Sequence, residues 1–215
     1  MDTPVDSIEK LFGPCGHQRW GFMIYRTTYT SEVDFRAMVS RIKDETAKSV
    51  VHWGADERPI VQQLVWTTIE DRDRLDRLSK ADVRRTFEGW VQSSEAAAEQ
   101  PHSIPRIPDC SNARYRYAVQ IDQPSLDSFT KEEGEPFVNL IMRKWPWWPE
   151  EQDDDDADDE EEGDEDEGWE PIDGSREEDV GWCRVGISVL VPSAYSELCH
   201  PNAWYNFYQR PPAVV

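Results

Sequence analysis

Between Glu150 and Glu170 the chain carries 16 acidic residues and not one Lys or Arg. Charges of one sign at that density repel each other, and the run holds almost nothing apolar to bury. Whatever core this protein has must be built without it, so residues 150–170 are expected to form a disordered acidic insertion. It lies between two segments of strand-like composition, where closing a longer loop adds cost only slowly with length. The plainer reading is a freely varying surface loop. The functional one is a polyanionic arm that engages a basic protein. Calcium is a poor match, because DDDDADDEEEGDEDEG lacks the D-x-[DN]-x-[DN]-G order that wraps a loop round the ion.

The charge is correspondingly local. The net −21 of the 215 residues shrinks to about −5 outside the run, where 28 acidic residues face 23 basic ones. That remainder reads as an ordinary, mildly acidic body. Ten Trp, seven Tyr and seven Phe give it large areas to bury. It shows no clustered Lys/Arg face of the sort that counterion release requires, so nucleic acid is not an expected partner. Nor does any stretch approach the roughly 18 apolar residues of a membrane span. Met1–Phe12 is charged at Asp2, Asp6, Glu9 and Lys10 and has no apolar run for a signal peptide. Residues 1–18 therefore read as a flexible N-terminus. Cys15, Cys110, Cys183 and Cys199 lack a framework spacing, so free thiols and a cytoplasmic or nuclear location are expected.

Local pattern supplies the elements. Trp20–Tyr29, WGFMIYRTTY, is β-branched and aromatic and reads as a strand. Thr30 or Ser31 can cap the next helix, about 32–47, in which Phe35, Met38, Val39 and Ile42 recur at helical spacing. A strand over Ile60–Ile69 follows, then a helix capped by Ser79 and running to about Glu99. Pro101, Pro105 and Pro108 keep the next segment extended. Further strands are expected over Tyr115–Ile121, Phe137–Lys144, Trp182–Val191 and Trp204–Gln209. Short helices are expected near Leu126–Lys131, with Ser125 as the cap, and from Pro192 to Leu198.

Strands that alternate with helices and then follow one another predict an α+β fold. The expected form is an antiparallel or mixed sheet of about six strands with helices on one face, ferredoxin-like. One domain would comprise residues 19–149 and 171–212, and the proline segment would divide it into two half-units, 19–100 and 109–212.

Chemistry-bearing motifs are few. Cys15-Gly16-His17 and Cys199-His200 each pair a thiol with an imidazole, but neither has the C-x(2–4)-C or H-x(3–5)-H spacing of a zinc site, and no metal is expected. A Cys/His nucleophile is open by inventory alone. No G-x-S-x-G, Walker loop, G-x-G-x-x-G or H-E-x-x-H occurs, so no cofactor is expected. Lys144-Trp145-Pro146-Trp147-Trp148-Pro149 favours an extended path carrying large rings. Trp145, Trp147 and Trp148 either cover the core where the strand leaves it or form a contact platform. Tyr25, Arg26 and Tyr29 on the opening strand, and Asp122 at the end of the third, are candidates for a ligand pocket by position.

The W-G-F-x-I-Y-R-x-x-Y pattern of Trp20–Tyr29 and the V-R-x-x-F-x-x-W pattern of Val83–Trp90 resemble a group of proteins from filamentous ascomycete fungi. The resemblance spans about half the chain. It implies a fungal source and a recurring α+β domain, and it brings no activity with it. The expected function is that of a non-enzymatic interaction protein, with the acidic arm or the Trp-rich strand exit as the contact surface. The alternatives are a small cofactor-independent enzyme or ligand-binding protein with an aromatic pocket, serving fungal secondary metabolism, and an acidic binder of basic proteins.

Overall fold

The computed structural model describes residues 2–107, 109–131, 134–145, 168–200 and 202–215. The expectation of disorder over 150–170 falls outside them for residues 150–167. An α+β architecture is present, with five strands in one mixed sheet and eight helices among the described residues. No helix among them is long and apolar enough to cross a membrane.

The first element, helix α1 over Pro4–Cys15, replaces the flexible N-terminus expected for residues 1–18. Its start is locally specified. Thr3 and Asp6 form a reciprocal capping box, Pro4 occupies the first turn, and Gly16 closes the end in the left-handed region. Val5, Ile8 and Phe12 share one face of this helix and are buried. Strand β1 (Met23–Arg26) leads through the Ser31 cap into α2 (Glu32–His52). Of the expected strand 60–69, only the end is extended: a 3-10 turn takes Pro59–Gln63, and β2 is Thr67–Ile69.

Helices α3 (Arg72–Leu75), α4 (Lys80–Val91) and α5 (Ser94–Glu99) then lead to β3 (Tyr117–Ile121). Helix α6 (Gln123–Thr130), strands β4 (Phe137–Met142) and β5 (Trp182–Gly186), and helices α7 (Tyr195–Leu198) and α8 (Ala203–Phe207) complete the order. The α8 segment corrects the strand expected over Trp204–Gln209. A short aromatic run has no decisive period of its own. Here Trp204 and Phe207, three apart, are buried together while Tyr205 stays exposed, which is a helical face.

Strand order is β2-β1-β3-β4-β5. β1 runs parallel to both β2 and β3, whereas β3–β4 and β4–β5 are antiparallel. This pairing departs from the ferredoxin-like arrangement expected, and the described residues hold five strands where about six were expected. Residues 19–100 and 109–212 contribute β1–β2 and β3–β5 to the same sheet.

Helices also cover both faces, where one face was expected. Alternate residues along the strands divide between two clusters. Ile24, Tyr117, Val119 and Leu140 pack with Phe35, Met38, Leu126 and Trp204, and so with α2, α6 and α8. Met23, Tyr25, Ala118 and Ile141 pack with Val83, Phe87 and Ala96 of α4 and α5. Strands buried on both faces lose the in–out alternation that would reveal a solvated side, and β1, β3 and β4 are buried throughout.

Candidate functional site

From β1 the chain crosses by α2 to β2 on one side. From β2 it returns by α3–α5, under the opposite face, to β3 on the other side. The connection leaving β1 turns to α2 on one face, and the connection leaving β2 turns to α3 and α4 on the opposite face. The carboxyl ends of these two adjacent parallel strands therefore form a switch point, with the loop leaving β3 beside it. Ligands of open α/β sheets bind in a crevice at such a switch point. A cleft of about 510 Å³ lies there, lined by Thr27–Thr30, Arg72, Asp76–Leu78 and Asp122–Pro124.

The floor is a buried polar row. Gln120 Nε2 donates to Thr27 Oγ1 at 3.0 Å and to the Leu78 carbonyl at 3.1 Å, and Asn139 Nδ2 donates to Gln120 Oε1 at 3.4 Å. In the wall, Thr28 and Thr30 hydroxyls donate to Gln123 Oε1 at 2.5 and 2.7 Å. Asp122 caps α6, accepting from Ser125 N–H at 3.0 Å and from its hydroxyl at 2.8 Å, while Lys80 reaches its other oxygen at 3.4 Å. The opposite lip is held by Arg77 N–H, which donates to Thr27 O at 3.0 Å. Arg77 has φ 61°, an uncommon conformation for a residue with a side chain.

Two kinds of arginine meet at this end of the sheet. Arg26 is buried, donates to the Thr28 carbonyl at 2.9 Å, and pairs with Glu32 at 2.5 Å and Glu70 at 3.0 Å. Its guanidinium lies 4.4 Å from the centre of the Tyr29 ring and 4.2 Å from that of Phe35. Arg26 thus shapes the β1 loop while its charge is already matched. Arg72, 5.9 Å from the Tyr29 ring centre, and Arg77 are exposed and make no ion pair among the described residues. Of the two carboxylates in the lining, Asp122 is occupied by its cap and Lys80. The Tyr29 hydroxyl is buried with the Asp71 backbone outside hydrogen-bond geometry, and burial pushes its pKa up.

The expected site residues separate. Tyr29 and Asp122 line the cleft, whereas Arg26 is buried beside the Tyr29 ring and is not among the lining residues. Tyr25, one position from Arg26 on the strand, faces the other side of the sheet, where it meets Phe87 edge-on at 6.3 Å. Trp145 lies at the far end of β4, half-buried, with its ring on Gly181 and 5.1 Å from the Arg84 guanidinium. Trp147 and Trp148 are outside the described residues. The sequence reading missed Thr28, Thr30, Gln123, Arg72 and Arg77. The first two sit in the TTYT run after β1, a polar cluster at a strand end that could have drawn attention.

The Cys/His inventory resolves into structural roles. Asn112 Oδ1 accepts from the Tyr195 hydroxyl and from Arg114 N–H at 3.0 Å, which turns its amide nitrogen toward His17 Nδ1 at 3.5 Å. Nδ1 is therefore the acceptor, and Nε2–H donates to Ser103 Oγ at 2.9 Å. Ser103 in turn donates to the Pro105 carbonyl at 2.6 Å. A histidine that donates to the serine is not placed to deprotonate it. Burial also lowers the His17 pKa, raises that of Cys110, and pushes Cys199 up to about 12, so both thiols stay protonated. Among the described residues no group of three or more His, Cys, Asp or Glu could hold a metal ion.

Compared with protein-family models, curated proteins and solved structures, the chain finds no match in any of the three. Function is therefore argued from the cleft alone.

Proposed function

We propose that this protein binds a compact, oxygen-rich anionic small molecule in the cleft at the carboxyl ends of β1 and β3. The observation that carries the reading is the pair of guanidiniums, Arg72 and Arg77, that line this crevice and make no ion pair among the described residues. Guanidinium forks suit carboxylate or phosphate oxygens. The Thr28 and Thr30 hydroxyls and the Gln123 amide add groups able to exchange their mutual bonds for bonds to a ligand. A volume of about 510 Å³ lies in the range of small-molecule sites. Most of the lining residues carry a hydroxyl, amide or charged group, which shifts the ligand-binding alternative from an aromatic pocket to a hydroxyl- and guanidinium-bearing one.

The test is a backbone-amide NMR titration of the full chain with citrate and with ribose 5-phosphate. Binding of either should shift the amides of Thr27–Thr30, Arg77 and Asp122–Ser125, and a double Arg72→Gln, Arg77→Gln variant should lose the response while keeping its fold. If neither probe moves those amides, or the double variant responds like the parent, the reading is withdrawn. The interaction-protein reading rests on Trp147, Trp148 and the acidic run. Trp145, the described member of the aromatic group, packs against the body.

A further inference from the structure

The two sides of the cleft differ in what they offer a ligand. On the α3–α4 lip, Arg72 and Arg77 present only donors. On the α6 wall the deciding group is Asp127, one helical turn beyond Gln123 and outside the lining. Gln123 Nε2 donates to Asp127 Oδ1 at 2.6 Å, and an ionised carboxylate can only accept. Turning the amide over would set Oε1 against that oxygen, so Oε1 is held toward the loop leaving β1. There it accepts from the Thr28 hydroxyl at 2.5 Å and from the Thr30 hydroxyl at 2.7 Å. Thr28 is buried, whereas Thr30 is exposed.

A hydroxyl whose proton is committed offers its lone pairs, so Thr30 Oγ1 meets the cleft as an acceptor. A ligand acceptor could take that proton only by withdrawing it from Gln123 Oε1. A ligand hydroxyl adds a bond and breaks none. Asp122, on the same wall, is a further acceptor, and Lys80 at 3.4 Å already answers its charge, so the wall suits neutral donors better than an ammonium. Asp76 also lines the cleft; it is exposed and makes no ion pair among the described residues. Set beside two guanidiniums, it leaves a place for one anionic group and not for several.

We propose, resting on the anion reading above, that the cleft takes a polyol bearing a single anionic group. The anion lies on Arg72 and Arg77, and the hydroxyls donate to Thr30 and the α6 wall. At about 510 Å³ the cleft has room for a molecule the size of a pentose phosphate. Asp127 touches no ligand and acts as a positioning residue, through the orientation of the Gln123 amide.

The probes are glycerol 3-phosphate and propyl phosphate, which share a phosphate ester and differ only in hydroxyls. Each is titrated into the full chain and followed at the amides of Thr27–Thr30, Arg77 and Asp122–Ser125. Glycerol 3-phosphate should bind at least about fivefold more tightly than propyl phosphate. Thr30→Val, at an exposed position, removes the acceptor, and Asp127→Asn lets the Gln123 amide turn over. Each should lower that ratio, with the far-UV circular dichroism of the parent retained. Equal affinity of the two probes at these amides, or a ratio that survives both substitutions, would overturn the proposal and leave the anion reading standing. No shift from either probe would overturn the two together.

Discussion

Arg114 is fully buried, yet each of its five N–H groups has an acceptor. They reach both Glu99 oxygens at 2.8 and 2.9 Å, the Gly21 and Val65 carbonyls at 3.0 and 3.3 Å, and the Thr67 hydroxyl at 2.9 Å. One side chain thereby ties the start of β1, the edge strand β2 and the end of α5 to the entry of β3. Burial opposes ionisation of Glu99, but its bonds to Arg114 outweigh that and hold its pKa below the ordinary 4.5. Glu99→Gln leaves the guanidinium buried without a counter-charge, and we expect a loss of roughly 3–5 kcal/mol in urea unfolding at pH 7. The folded pKa is the lower one, so the pair's contribution is complete above about pH 4.5 and falls away as pH drops through the folded value. The parent should therefore lose more stability than the variant between pH 5 and pH 3. Gly21 belongs to the same joint. It has φ 96°, and a Cβ there would stand 2.6 Å from the Val65 carbonyl, so Gly21→Ala should cost at least about 1 kcal/mol in the same assay. That contact is the physical content of Gly21 in the Trp20-Gly21-Phe22 motif.

Among the elements, α1 and α6 show how capping fixes what periodicity leaves open. The Asp6 carboxylate accepts from the Thr3 backbone and meets Arg58 at 2.7 Å, which together lower its pKa to about 2. A carboxylate with a depressed folded pKa stabilises above its ordinary value of 3.8, and that contribution fades between there and about 2. Protection of the α1 amides in hydrogen exchange should accordingly hold at pH 5 and weaken below about pH 3.5. For α6, Asp122→Ala removes both the cap and the Lys80 partner and should cost about 1 kcal/mol or more. Asp122→Asn keeps a cap acceptor and should cost less, and a thermal melt of the two variants separates the terms.

At the scale of the whole molecule, the two sheet edges are treated differently. Along β5 the chain's own residues pair with the edge: Gly186 N–H donates to Val215 O, and Val215 N–H to Arg184 O, both at 2.9 Å. The β2 edge runs through Leu64-Val65-Trp66-Thr67-Thr68-Ile69 without a charge or a proline and stays half-buried throughout. An uncovered strand edge is a template for pairing with another chain. Deleting Val214 and Val215 should expose the second edge as well, and light scattering on heating should show earlier aggregation than in the parent. Scattering unchanged from the parent would mean that the tail contributes nothing to edge protection.

How much of this was legible in the residues depends on the range of the interaction that decides each feature. β1, α2, α4 and β3 follow from β-branched runs, helical spacing and the caps Ser31 and Ser79, all of which act within a few residues. The start of α1 was written just as locally in Thr3, Pro4, Asp6 and Gly16, and a reading that weighed charge over capping passed it by. For α8, local pattern is silent, since Trp204 and Phe207 become a face only when a core exists to receive them. The cleft is the clearest case. Arg26, Tyr29 and Asp122 were marked by their positions at strand ends, but Arg72 and Arg77 lie about fifty residues from each of the loops they join. By itself the sequence determined β1, α2, α4 and β3 and the near-balanced charge outside residues 150–170. Only the tertiary structure decided that β1 lies between two parallel neighbours with helices on both faces, because strand order depends on crossovers that no local period encodes.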